Sequence, residues 1–388
     1  MDTIFNHPVT LAFIIGLPLF GIVAKLFGAT FKRIAKWYLY IAVFAVLIVM
    51  DSIFFPFIGG KDYFFRFAIE LSVIAFLLWW AFEARMGELK ELLRARCKKP
   101  LFIAVSIFAA VFLLACLFAY DIHAAFWSNY ERGEGGFQMI HYYLFFALLV
   151  LLMDKETDWE HIFKFSLVAA GGMMLYGVLG NYSVAGFIGP YSGSTAPTGW
   201  WHILADGRFQ GSLGNPAYVA PYLMFSMFFA AYLWVKKKAS GAATALTHWG
   251  YGILIAIFLF FFTLSQTRGA EIGLGVAALV FVIYLIFAAK GSLRKWSAIA
   301  LIVLAAIGAA GYALRNNPYI ESIPEGRLLQ ISLNDATAQT RFWVWGEAWK
   351  GFLERPVLGW GPENFTTVFD KFFNPNFYAP GQNNETWF

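Results

Sequence analysis

Long apolar runs recur along this chain, and they decide what it can fold into. They lie near residues 8–24, 37–57, 64–82, 101–120, 138–153, 163–182, 217–235, 249–264, 270–289 and 296–314. A run of about 18 or more apolar residues is long enough to cross a bilayer as a helix. Lipid offers the backbone no hydrogen bonds, so each run must satisfy its own amides. A barrel would show alternation of polar and apolar residues, and these runs do not alternate. Charged residues make up only 14% of the chain against 60% hydrophobic, too little charge to cover a soluble domain. The predicted fold is all-α: a polytopic transmembrane helical bundle of about ten spans. The 138–153 run is short and is expected to be tilted or extended by its flanks.

Lys and Arg set the expected orientation. One set of alternate loops holds Lys25, Lys32, Arg33 and Lys36, then Arg85, Lys90, Arg94, Arg96, Lys98 and Lys99. The set continues with Lys155 and Lys164, with Lys236, Lys237 and Lys238, and with Lys290, Arg294 and Lys295. The opposite loops hold only Lys61, Arg66, Arg132, Arg208 and Arg268. The first set is therefore expected in the cytoplasm. The weak point is 154–164, where four acids dilute two lysines. The net charge of +5 does not point to nucleic acid, because the bases sit in short loops and line no groove. No basic n-region precedes a small-residue cleavage site at the N-terminus. Cys97 and Cys116 do not make a disulfide framework.

This reading divides the chain into a membrane bundle, 1–314, and the start of a large extracytoplasmic domain, 315–388, both ends lying outside. The second part is expected to be helical. Asn334 or Asp335 can cap a helix running to about Leu353. Phe342, Trp345, Trp349 and Phe352 then share one face, which reads as core packing ahead of a sugar platform. Pro356 and Gly359 break the chain, and Pro362 can open a second helix toward Phe373.

Candidate chemistry lies at the outer ends of spans. Arg268, in LSQTRGAEIG, sits between two apolar runs joined by almost no loop, with Glu271 three residues on. Arg208 opens RFQGSLGNPAY just before another run, and YERGEGG carries Glu131, Arg132 and Glu134. Lone arginines in glycine-rich outer turns suit an anion site, because a guanidinium forks onto phosphate oxygens and keeps its charge when partly desolvated. Gly211, Gly214 and Gly269 would let backbone approach such a ligand. Headgroup snorkelling or a structural Arg–Glu pair is the competing reading. Gly269, Gly273 and Gly275 read as a close helix-packing seam. His123, His141 and His202 read as ordinary interfacial or packing residues. Glu70 is expected within a few residues of the outer end of its span. No metal-ligand cluster or cofactor fingerprint is present on the outer face, so neither a metal nor a cofactor is expected.

Five segments appear in order: FFPFIGGKDYFFRFAIE (54–70), FWSNYERGEGG (126–136), GRFQGSLGNPAYVAPYL (207–223), LSQTRGAEIGL (264–274) and RFWVWGEAWKGFLERPVLGWGPENF (341–365). Together they resemble the O-antigen ligase/polymerase superfamily. The resemblance implies metal-independent, inverting glycosyl transfer on the outer face of a bacterial cytoplasmic membrane. The donor would be a polyprenyl-diphosphate-linked glycan and the acceptor a glycan, lipid or protein hydroxyl. Arg208 and Arg268 match the arginines thought to hold the donor diphosphate. Glu131, Arg132 and Glu134 are candidates for the donor sugar pocket, and Asn215 and Arg341 are further substrate-binding candidates. The family's catalytic His lies later in the large external loop, so the sequence reads as a fragment that is inactive alone. The span before residue 37 departs from the usual arrangement, giving ten spans before the large loop where nine are expected. Ligase, polymerase and protein oligosaccharyltransferase remain open. A lipid-linked sugar transporter or flippase is the rival of another class, though no internal repeat supports it.

Overall fold

A computed structural model describes residues 8–50, 53, 55–129, 133–179, 208–314, 317 and 336–378. These residues are helical, with no strand among them. Seven helices are long and apolar enough to cross a membrane. They are α3 (Gly59–Phe82), α5 (Pro100–Leu117), α8 (Glu156–Leu179), α9 (Pro216–Ala239), α10 (Ala245–Leu264), α11 (Arg268–Ala288) and α12 (Ser292–Ala313). Two further apolar helices add to these, α1 (Pro8–Leu26), apolar over Thr10–Leu26, and α7 (Gly136–Leu152). The chain is a multi-pass α-helical membrane protein.

The 37–57 run does not form one continuous helix. Helix α2 (Phe31–Ala42) passes into a 3-10 turn, Val43–Leu47, and the chain then becomes extended at Ile48. Asp51 and Pro56 lie in this run; a charge and a residue without an N–H both oppose continuation of a helix. Lys61 Nζ donates to the freed Ile48 carbonyl at 2.6 Å.

Two compact units emerge, Met1–Ala196 with Ala336–Phe388, and Pro197–Asp335. The core of the first forms where α2 meets α3. Ala35, Leu39, Ala68 and Ile69 are fully buried there, and Ser72 donates to the Ala35 carbonyl at 2.9 Å. Small residues allow this approach, since apolar side chains gain little from leaving lipid for protein.

At one end of this unit the basic loops converge on acids. Lys32 lies 3.1 Å from Asp154, Lys36 lies 2.8 Å from Asp158, and Arg96, at the end of α4 (Glu88–Arg96), lies 3.6 Å from Asp154. Lys25 pairs with Glu83. Two of the four acids that weaken the charge count at 154–164, Asp154 and Asp158, are thus partners of lysines and an arginine from neighbouring elements, so these basic segments share one face.

At the other end the chain's last described segment docks. Helix α6 (Ile122–Trp127) is capped by Asp121, whose carboxylate accepts from the Ala124 amide at 3.0 Å. Asn364 binds the backbone of that same residue twice, accepting from Asp121 N at 2.9 Å and donating to Asp121 O at 3.2 Å. Tyr120 N donates to Trp360 O at 2.9 Å. Gly361 sits at φ +94° directly against Ala119, so only glycine suits the position.

The docked segment consists of α13 (Ala336–Glu354), α14 (Phe365–Lys371) and a 3-10 turn, Pro375–Tyr378. The expected caps, Asn334 and Asp335, lie outside the described residues. The second helix begins at Phe365, after Asn364, and not at Pro362. The aromatic row is not core. Phe342, Trp345, Trp349 and Phe352 are 45%, 62%, 60% and 47% exposed. The buried side of α13 is instead Gly351, against Val368, and Glu347, with Trp343 edge-on to Phe377.

In the second unit, α9 and α10 pack through Ala220, Leu223, Ala230, Phe258 and Phe262, all almost fully buried. Helix α11 buries no residue and α12 only Ser297. Helices apolar all round with so little protein against them are solvated by lipid. Gly269, Gly273 and Gly275 have open space where a side chain would be, so they form no packing seam here.

Candidate functional site

The two arginine segments meet in the second unit. Helix α9 starts at an Asn–Pro pair: Asn215 Oδ1 accepts from Ala217 N at 2.8 Å, and Pro216 occupies the first turn. Before it, Gly211 (φ +52°) and Gly214 (φ +69°) take left-handed conformations that fold 208–215 back toward the α10–α11 turn. Asn215, a substrate-binding candidate by resemblance, is thus a helix cap in the structure.

Phe209 anchors the segment. It is 4% exposed, its ring lies 4.7 Å from that of Phe261, and its amide donates to Leu264 O at 2.9 Å. That contact carries Arg208 to the three-residue turn Ser265–Thr267. Arg208 Nε donates to Ser265 O at 3.0 Å and Nη2 to Thr267 Oγ1 at 3.1 Å. The Thr267 hydroxyl donates in turn to Pro216 O at 3.1 Å. Arg208 is therefore strapped to the residue that precedes Arg268. Thr267 was not singled out from the sequence; the only signal was a hydroxyl residue beside an outer-turn arginine.

Arg268 is the first residue of α11 and is exposed. Its guanidinium makes no hydrogen bond or ion pair among the described residues. Arg208 spends two nitrogens on protein oxygens and remains exposed. The turn thus presents two cations at the positive end of a 21-residue helix.

The other candidates lie in the first unit. Glu131 and Arg132 fall outside the described residues. Glu134 is exposed, next to Gly133 in a turn closed by Gly133 N donating to Asn129 O at 2.8 Å. Arg66, four residues further into α3 than Asp62, reaches this turn. Its guanidinium donates to Gly133 O and Gln138 Oε1 and lies over the Phe137 ring at 5.2 Å. Gly133 has φ +58° and lies so close to Arg66 that a side chain would not fit. From the sequence Arg66 reads only as a sparse outer base; its hold on Gly133 and Gln138 is visible only in the fold. Arg341 is on α13 and exposed.

Glu70 is not near a helix end. It lies in the middle of α3, and its carboxylate meets buried His141 Nε2 at 3.1 Å. The other ring nitrogen, Nδ1, is 2.9 Å from Phe137 O. In α13, Glu347 is 2% exposed; Oε1 accepts from Asn374 N at 2.9 Å, and Oε2 has no partner among the described residues. Burial raises this carboxyl above the usual glutamate range, partly offset by the Asn374 amide and then Lys350.

Residues 253–387 match the family model described as O-antigen ligase. Over this stretch the chain is similar to the O-antigen ligase family. The O-antigen ligase match begins within α10 and takes in Arg268, Arg341 and Glu347, while Arg208, Asn215 and the 131–134 loop precede it. No curated protein and no solved structure matches the chain. The match supports function of the general O-antigen ligase/polymerase kind.

Proposed function

We propose that the protein transfers a glycan from a polyprenyl-diphosphate donor to an acceptor hydroxyl on the outer face of the bacterial cytoplasmic membrane. The observation that carries this reading is the Arg208–Thr267–Arg268 arrangement, an exposed arginine pair on one turn at a helix N-terminus. The acceptor oxygen attacks the anomeric carbon, the bond to diphosphate breaks with its electron pair, and the anomeric configuration inverts. Negative charge grows on the diphosphate as that bond breaks. Two guanidinium groups fixed before the reaction stabilise it without reorganising. The acceptor proton goes to a general base. By the resemblance, Glu131, Arg132 and Glu134 are candidates for contacts with the donor sugar, and the exposed aromatic row of α13 is a surface on which sugar rings can stack.

Thr267→Val isolates the strap. Losing its hydrogen bonds to Arg208 and Pro216 should lower transfer about tenfold, and Thr267→Ser should keep most of the activity because the hydroxyl is retained. Equal activity of Val and wild type, measured by product formation in membranes, would remove the strap from the mechanism.

The proposal as a whole is tested by mass spectrometry of cell-envelope acceptors in a strain lacking the gene. Glycan missing from lipid A core is the result of a ligase, shortened glycan chains that of a polymerase, and bare protein Ser or Thr that of an oligosaccharyltransferase. All three intact would overturn glycosyl transfer. The intramembrane Glu70–His141 pair is what a lipid-linked sugar transporter would use. In that case lipid-linked donor would be trapped on the cytoplasmic face of the deletion strain.

A further inference from the structure

The basic end of the first unit contains a cavity that the transfer reaction leaves unused. Its volume is about 390 Å³, and it lies between the start of α2 and the start of α8. Lys32, Arg33, Lys36 and Lys155 line it, against one lining carboxylate, Asp158. Lys36 is held by Asp158, and Lys32 by Asp154. Arg33 and Lys155 are exposed and make no ion pair among the described residues. Two cations on opposite walls thus have charge to give to a ligand.

A second, apolar groove of about 310 Å³ is lined by Phe20, Trp37, Tyr40, Ile41, Phe44 and Phe165. Trp37 and Tyr40 line both spaces. The Tyr40 ring packs on Phe165 at 5.5 Å and on His161 at 6.1 Å, so it forms a wall where polar pocket becomes apolar groove. The sequence of surfaces is cations, then amphipathic rings, then hydrocarbon.

We propose that this is a binding site for an anionic phospholipid of the surrounding membrane, headgroup phosphate in the basic cavity and an acyl chain along the groove. Charge complementarity selects an anion, and basic pockets between spans on a membrane's positively flanked face suit anionic headgroups. The adjoining groove selects a lipid over a free phosphate, because a soluble anion would leave those rings facing bilayer without a defined neighbour. The site lies on the face that the Lys and Arg bias assigns to the cytoplasm, and none of its residues belongs to the arginine turn.

The test uses the full chain purified in detergent and stripped of lipid, titrated with dioleoyl phosphatidylglycerol, dioleoyl phosphatidylcholine or glycerol phosphate and read by native mass spectrometry. Phosphatidylglycerol should bind more tightly than phosphatidylcholine, and glycerol phosphate more weakly than either lipid. The Arg33→Ala/Lys155→Ala variant should lose affinity for phosphatidylglycerol by about five-fold for each charge removed. Neither side chain holds an ion pair, so folding should be unaffected. A control pair on α4, Lys90→Ala/Arg94→Ala, should leave binding unchanged. Equal affinity for the two lipids, an equal loss in the control pair, or glycerol phosphate binding as tightly as the lipid would overturn the proposal.

Discussion

Arg268→Ala abolishes glycan transfer in the protein as the cell makes it, while the helices still insert. The expected loss is about a hundred- to a thousand-fold in rate, the scale found when one preorganised charge-stabilising donor is removed from an active site. Arg268 opens α11 and makes no hydrogen bond or ion pair among the described residues, so truncating it breaks no polar contact that holds the fold. Lys restores only part of the activity, since an ammonium carries the charge but cannot fork onto two phosphate oxygens. The measurement is glycan product in membranes, normalised to the amount of inserted protein. Normal transfer by the Ala variant would mean that no diphosphate is gripped at this turn.

Asn364→Ala loosens the docked segment from the bundle. The side chain makes three hydrogen bonds, accepting from Asp121 N and donating to Asp121 O and Pro362 O. It is 2% exposed, so the backbone groups left behind are sheltered from water. Two of these bonds cross the junction, so at about 1 kcal/mol each the attachment weakens by roughly 2 kcal/mol. Hydrogen exchange should then lose protection at the Tyr120 and Asp121 amides together, because both are bonded only across this junction. Unchanged protection at those two amides would show that Trp360 and its neighbours hold the segment without Asn364. Asn364→Asp keeps the acceptor and loses both donors, and should fall between.

Much of the fold was legible because solvation by lipid is written residue by residue. A run of apolar side chains long enough to cross a bilayer has few other solutions, and the seven helices long and apolar enough to cross coincide with such runs. Interruptions were harder to weigh. Asp51 and Pro56 each carry a modest local penalty on a continuing helix, but the run already breaks before them, in the 3-10 turn Val43–Leu47 and the extended Ile48. Periodicity showed that Phe342, Trp345, Trp349 and Phe352 share a face, but not whether another element would cover it. The answer depended on Gly351 and Glu347 on the opposite side, where Val368 and the Asn374 amide pack. Likewise Gly269, Gly273 and Gly275 have seam spacing, but a seam requires a second helix.

The site was legible as residue types and not as partners. A lone arginine in an outer turn announces itself, because few reasons place one there. That Arg208 is strapped to Thr267 required two segments 59 residues apart to meet, and no local pattern encodes that. The Arg66 clamp on Gly133 spans 67 residues and was invisible for the same reason. Glu70 was misplaced because α3 begins at Gly59, earlier than its apolar run suggested, with Lys61, Asp62 and Arg66 inside its first two turns.

The Asn364 junction also constrains distance. A segment tied through main-chain groups to the end of a membrane helix cannot rise or sink without that helix, whose depth is fixed by hydrocarbon thickness. The aromatic row of α13 is therefore held at a constant height relative to that span, like a mark on a ruler. A molecule using it would be chosen by how far its reactive group stands off the membrane as well as by its chemistry.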